Sequence, residues 1–178
     1  MSRTALVVID MINPYDHPDA DRLVPSVRHA LPAVLDLVGR ARASDVPVVY
    51  VNDNFGSWRS DQAELVRSAL AGRHPELVEP VRPAEDALFV VKARHSVFFQ
   101  TPLEYLLSQE GVDRLVLAGQ VTEQCVLYSA LDAHIRHLDV CVPPDAVAHI
   151  HPDLADAALR TMTVNMNAEV CPAEKVAF

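Results

Sequence analysis

A chain of 178 residues with a formal net charge of −9, half of it apolar and 22% charged, has the composition of a globular protein with a substantial core. Its basic residues are scattered rather than gathered into a stripe, which argues against a nucleic-acid partner, and no apolar run approaches the roughly 20 residues of a membrane-spanning helix. Three cysteines, Cys125, Cys141 and Cys171, are an odd number at uninformative spacing, so one reactive thiol and two core thiols are expected rather than a disulfide framework.

Met1-Ser2-Arg3-Thr4 leads straight into an apolar run, without the longer stretch of a secretory leader, and a cytoplasmic location is the expectation. Ala5 to Asp10 reads as a parallel strand buried on both faces. Leu23, Val27, Ala30, Leu31, Val34, Leu35, Val38 and Ala41 recur at helical spacing. Pro47 to Asn52 is a second buried strand, followed by a loop from Asp53 to Arg59. Ser60 is placed to cap a helix running to Ala71, and the proline-rich stretch from Pro75 to Pro83 reads as a loop. Ala87 to Lys92 predicts a third strand that ends in a charge. Thr101-Pro102-Leu103-Glu104 then combines a capping threonine, a proline at the first helical position and a capping-box glutamate. Arg114 to Gly119 is the fourth strand, Thr122 to His137 a helix, and Asp139 to Val142 the fifth strand. Pro152 opens a last helix, and Ala168 to Cys171 predicts a short sixth strand.

Strands alternating with helices predict an α/β fold: one domain over residues 1–178, a three-layer α/β/α sandwich around a central, mostly parallel sheet of about six strands with Rossmann-like topology. Ligands of such sheets sit at the carboxyl ends of the strands. No Gly-x-Gly-x-x-Gly follows the first strand, which removes the dinucleotide-binding reading. Three polar features fall at that same edge. Asp10 ends the first strand, Lys92 ends the third, and Cys125 follows the fourth after a short turn. Gly119 permits the turn and Thr122 can cap the helix, which puts Cys125 in its first turn, where free amides and the helix dipole favour thiolate. A nearby Lys92 would lower the thiol pKa further, and Asp10 could take and return its proton.

Three ordered blocks resemble the isochorismatase-like cysteine hydrolases, a family that includes isochorismatases, nicotinamidases and N-carbamoylsarcosine amidohydrolases. They are Ala5 to Asn13, Val91 to Leu103 and Gly119 to Val126. The resemblance implies that Cys125 is the nucleophile, Asp10 the general acid and base, and Lys92 the stabiliser of the thiolate. It also implies a cis peptide between Gln120 and Val121, with the amides of Val121 and Cys125 forming an oxyanion hole, and assembly as a homodimer or homotetramer. Nicotinamidases carry an aspartate and histidines after the second strand that bind a metal. Here the region reads Asn52-Asp53-Asn54-Phe55-Gly56-Ser57-Trp58, without a histidine, and a lone Asp53 cannot hold an ion. No metal and no cofactor are therefore expected, and the pairs His134/His137 and His149/His151 read as solvated or hydrogen-bonded side chains. Phe55 and Trp58 are candidates either to wall a pocket for a small-molecule substrate or to form a dimer contact, and Tyr15 is a weaker candidate for the same wall. The function implied is metal-independent hydrolysis of a small amide or ureido compound. The alternatives are vinyl-ether hydrolysis of the isochorismatase type, relying on Asp10, and a non-catalytic binding protein on the same fold.

Overall fold

The apolar runs become the strands of one parallel sheet: β1 (Thr4–Ile9), β2 (Val48–Asp53), β3 (Leu88–Lys92), β4 (Arg114–Gln120), β5 (Asp139–Cys141) and β6 (Val147–Ala148). A computed structural model describes residues 3–178; Met1 and Ser2, where the reading for a leader begins, lie outside the described residues. The order is β3-β2-β1-β4-β5, with β6 also pairing β4, beyond the point where β5 ends. The chain thus winds outward from β1 to β3, returns to the other side of β1, and winds outward again. The reversal lies between β1 and β4, where a crevice opens at the strand ends.

Ala5 to Ile9 are at most 1% exposed, because both faces of the sheet are covered. Leu6 and Val8 pack with α1 (Ala20–Ala43), α2 (Gln62–Leu70) and α3 (Pro75–Val78). Ala5, Val7 and Ile9 pack on the opposite face with α4 (Leu103–Gln109), α5 (Leu127–Ile135) and α6 (Pro152–Met166). The result is a three-layer α/β/α sandwich. No helix among the described residues is long and apolar enough to cross a membrane. Helix α1 keeps its course through Pro25 and Pro32, seven residues apart on its exposed stripe, where the carbonyls that lose their donors can turn to water.

Several local expectations are corrected. The sixth strand is Val147–Ala148, not 168–171; there only an isolated bridge joins Glu169 to Cys141. The stretch 75–83 is not loop alone, since Pro75 opens α3, a 3-10 turn at Glu79–Val81 follows, and Leu77, Val78 and Val81 are buried. Asp61 rather than Ser60 caps α2, accepting from the Glu64 amide at 2.9 Å, because its carboxylate stands three residues before a free N–H. Pro102 itself occupies the cap of α4, one residue later than read, while Thr101 Oγ1 accepts from the Leu103 amide at 3.3 Å. The helix after β4 begins with one wide π turn, Thr122–Val126, and ends at Ile135. Thr122 does not cap it; its hydroxyl donates to Ala148 O at 2.9 Å and ties the turn to β6.

Candidate active site

Gly119 lets β4 lie close enough to β1 to form the site. It pairs with Ile9 at φ +115°, and a Cβ there would stand 2.1 Å from Ile9 O. The next residue, Asp10, adopts φ +53°, a left-handed turn that aspartate tolerates better than most. Three neighbours fix it. Its amide donates to Val51 O at 3.0 Å, its Oδ1 accepts from the Asp53 amide at 2.7 Å, and its carbonyl accepts from the Gln120 side chain. Asn52 fastens the following loop to the end of β2, accepting from Ile12 N and donating to Ile12 O, both at 3.0 Å.

Lys92 ends β3 in register with Asp53, and its fully buried ammonium crosses the end of β2. It lies 2.8 Å from Asp10 Oδ2, 3.5 Å from Asp53 Oδ2 and 3.6 Å from Cys125 Sγ. Cys125 stands in the π turn, in which the Val126 amide donates to Val121 O at 3.1 Å; wide turns of this kind recur at functional sites. The Gln120–Val121 peptide bond that precedes the turn is cis. From the other side His95 Nδ1 comes within 3.7 Å of the sulfur. The segment that carries His95 is pinned to the helix that follows Cys125: Val97 N donates to Ser129 Oγ at 3.0 Å, and Ser129 donates in turn to Cys125 O.

The electrostatics of the three groups pull in opposite directions. Burial, and next the Asp10 carboxylate, push the Cys125 thiol well above its ordinary range, against the opposing pull of Lys92. Burial also raises Asp10, again against Lys92. For Lys92 itself burial acts downward, but the anions around it, Asp10 foremost, leave it raised. Burial and the Asp10 carboxylate thus work against a thiolate on Cys125, and Lys92 works in its favour. One ammonium faces two carboxylates, so a third anion on sulfur is disfavoured until a proton moves to Asp10.

Lys92 is among the residues that line a cleft of about 560 Å3 with Asn54, Trp58, Arg94, Phe99 and Gln100; Asp10 and Cys125 contact its ammonium and are not part of that lining. A larger cleft of about 640 Å3 beside α2 is lined by Val66, Arg67, Leu70, Arg82 and Glu85, and offers no nucleophile or buried ion. Chemistry rather than volume identifies the site. Asp10, Lys92 and Cys125, more than a hundred residues apart from first to last, are thus brought together. Trp58 lies on the cleft and is 83% exposed, whereas Phe55, on the same loop, is exposed but outside the lining. Tyr15 is corrected as a wall residue: it is fully buried in the layer with α1, its hydroxyl 3.5 Å from Gln120 Oε1. Asp53 was weighed only as a lone metal ligand, and its part as second carboxylate to Lys92 was missed; its register opposite Lys92 becomes visible only once β2 and β3 are paired. Sequence reasoning likewise passes over Arg94 and His95, which stand two and three residues after Lys92 in the second block.

Comparison with known proteins shows the family of the chain. Residues 4–175 match the family model of the isochorismatase domain. An uncharacterized isochorismatase family protein of Bacillus subtilis is 28% identical over 97% of this chain and 95% of its own length. The maleamate amidohydrolase of Pseudomonas putida is 30% identical over 88% of this chain and 78% of its own. The crystal structure of N-carbamoylsarcosine amidase from Thermoplasma acidophilum is similar with a TM-score of 0.76 at 30% identity, covering 99% of each chain.

Proposed function

The chain belongs to the isochorismatase family of hydrolases, and we propose that it cleaves a small amide or ureido compound through a covalent intermediate on Cys125. The reading rests on one observation above all: a buried ammonium that touches both a carboxylate, at 2.8 Å, and a thiol, at 3.6 Å. The similarity to a maleamate amidohydrolase and an N-carbamoylsarcosine amidase supports the substrate class.

Asp10 accepts the thiol proton as the sulfur attacks the carbonyl carbon of the bound substrate, so charge passes from carboxylate to sulfur beside the same ammonium. The Asp53 carboxylate stays beside Lys92 throughout, so the transfer moves a negative charge within the site without adding one to it. The oxyanion that forms on the former carbonyl is held by the amides of Val121 and Cys125. On collapse the C–N bond breaks and Asp10 returns its proton to the leaving nitrogen. Water then attacks the intermediate with Asp10 as base, the acid product departs and the thiol regains its proton. A low thiol pKa is not required, because the proton leaves in the same step as the attack. Arg94 lines the cleft with no hydrogen-bond or ion-pair partner among the described residues, and its guanidinium suits a substrate carboxylate such as that of an amic or ureido acid.

The test is hydrolysis of a panel of simple amides, amic acids, ureido acids and isochorismate by wild type, Cys125→Ala and Asp10→Asn. Turnover of an amide or ureido acid that both variants abolish is the expected result. Turnover of isochorismate that survives Cys125→Ala but not Asp10→Asn would instead place the enzyme in the vinyl-ether branch. No turnover by folded wild type across the panel would leave the amide reading without support.

A further inference from the structure

On the face of the sheet opposite Cys125, three side chains with ligand atoms meet where the C-terminal segment crosses β5. Cys141 is buried in the layer with α1, whereas Cys125 is buried in the other layer. The sulfurs of Cys141 and Cys171 are 4.0 Å apart, and Cys171 Sγ is 3.4 Å from Glu169 Oε1. Among the described residues these three form a group whose ligand atoms all lie within 4.8 Å of one another.

Those separations can be set against two chemistries. A tetrahedral zinc ion with thiolate bonds of about 2.3 Å and a carboxylate bond of about 2.0 Å has S–S and S–O edges of roughly 3.8 and 3.5 Å. A disulfide instead needs the sulfurs at about 2.05 Å, close to half their present separation. The geometry points to a metal: we propose that Cys141, Glu169 and Cys171 form a binding site for a thiophilic divalent cation, zinc foremost, with water as fourth ligand.

The surroundings fit such an ion. Arg114 grips the other oxygen of Glu169 at 2.9 Å, leaving Oε1 for the metal and orienting the carboxylate as outer-shell partners of metal ligands do. Two thiolates and one carboxylate, opposed by a divalent ion and the Arg114 guanidinium, sum to zero charge. Without an ion, burial and then the neighbouring Cys171 and Glu169 push the Cys141 thiol up to about 12. A cation relieves that mutual repulsion, and the two thiol protons leave to solvent on binding. The backbone is already set, since Val142 N donates to Glu169 O and Glu169 N to Val140 O, both at 2.8 Å. Cys171 is half-buried and the Glu169 side chain 53% exposed, so an ion has a way in. A metal here would clamp the C-terminal segment to the edge of the sheet, apart from the hydrolytic site. The two cysteines are 30 residues apart, which hides the cluster from any spacing rule.

Reduced, chelator-treated full chain should be titrated with zinc against a chromophoric chelator, and separately with cobalt(II) under anaerobic conditions. One equivalent of zinc is expected, with thiolate-to-cobalt charge transfer and four-coordinate d–d bands. Cys171→Ser should abolish both signals. Glu169→Gln should weaken zinc binding by about tenfold or more. Cys125→Ala should keep the full equivalent, which separates this site from the hydrolytic thiol, and the hydrolysis rates of Cys171→Ser should match wild type. Circular dichroism of the two half-exposed variants checks that they fold. Absence of stoichiometric binding in the reduced wild type, or a retained equivalent in folded Cys171→Ser, overturns the proposal. So does a pair that closes to a disulfide with diamide yet binds no zinc.

Discussion

Replacing Lys92 by methionine removes a buried positive charge while keeping most of the side-chain volume, so little of its effect comes from a cavity. What remains is the Asp10 carboxylate, 9% exposed, with its only close cation gone, while the more exposed Asp53 can turn to water. Breaking a buried pair from one side costs about 3–5 kcal/mol, because the orphaned charge stays desolvated. Asp10 can escape by taking up a proton, and its carboxyl is already raised by burial before the ammonium is lost. In the variant it rises further. A group whose folded pKa is raised favours the folded state at low pH and loses that contribution as pH climbs from the ordinary carboxylate value through the folded one. Urea denaturation should therefore show a loss of about 3–5 kcal/mol at pH 7, shrinking toward pH 5 by up to about 1.4 kcal/mol per pH unit relative to wild type. Lys92→Met combined with Asp10→Asn should recover more than half of the loss. A cost below about 1 kcal/mol at pH 7, the size of an exposed pair, or a loss that does not change with pH, would refute the account of a buried, charge-balanced site.

Three further outcomes follow from the same coordinates. Because Asp10 acts as base only when ionised and burial raises its carboxyl, kcat/KM of the wild type should fall off on the acid side at a pH above the usual carboxylate range, as a pH–rate profile will show. Iodoacetamide at neutral pH should label half-buried Cys171 ahead of Cys125, whose thiol is buried and pushed above its ordinary range; peptide mass spectrometry showing Cys125 modified first would contradict that direction. Gly119→Ala should cost about 3 kcal/mol or more in thermal or urea unfolding, since its methyl would meet Ile9 O at 2.1 Å and no side chain is there to yield.

The strands were legible because parallel strands covered on both faces are written as unbroken apolar runs, as in Leu6-Val7-Val8-Ile9 and Leu115-Val116-Leu117-Ala118. The short sixth strand was misplaced because two residues carry no period. Val147–Ala148 and 168–171 look alike until one of them pairs with Gly119 and Gln120. Helix starts slipped by a residue where a serine or threonine stood beside a better-placed partner, as Ser60 does beside Asp61. At the site, Asp10, Lys92 and Cys125 could be read because each closes or follows a strand at the same edge. The charge state of the thiol could not. It depends on how deeply the three groups are buried and on a second carboxylate, Asp53, that only strand pairing brings to Lys92.

Glu123, two residues before the nucleophile, is buried with Oε1 accepting the amides of Ile150 and His151 at 3.0 and 2.8 Å. Those amides lie at the threshold of α6, so the turn that carries Cys125 and the entry of the last long helix behave as one lever with a carboxylate for its pivot. The position of the sulfur-bearing turn is thus fixed in part by the start of α6, which lies outside the cleft lining.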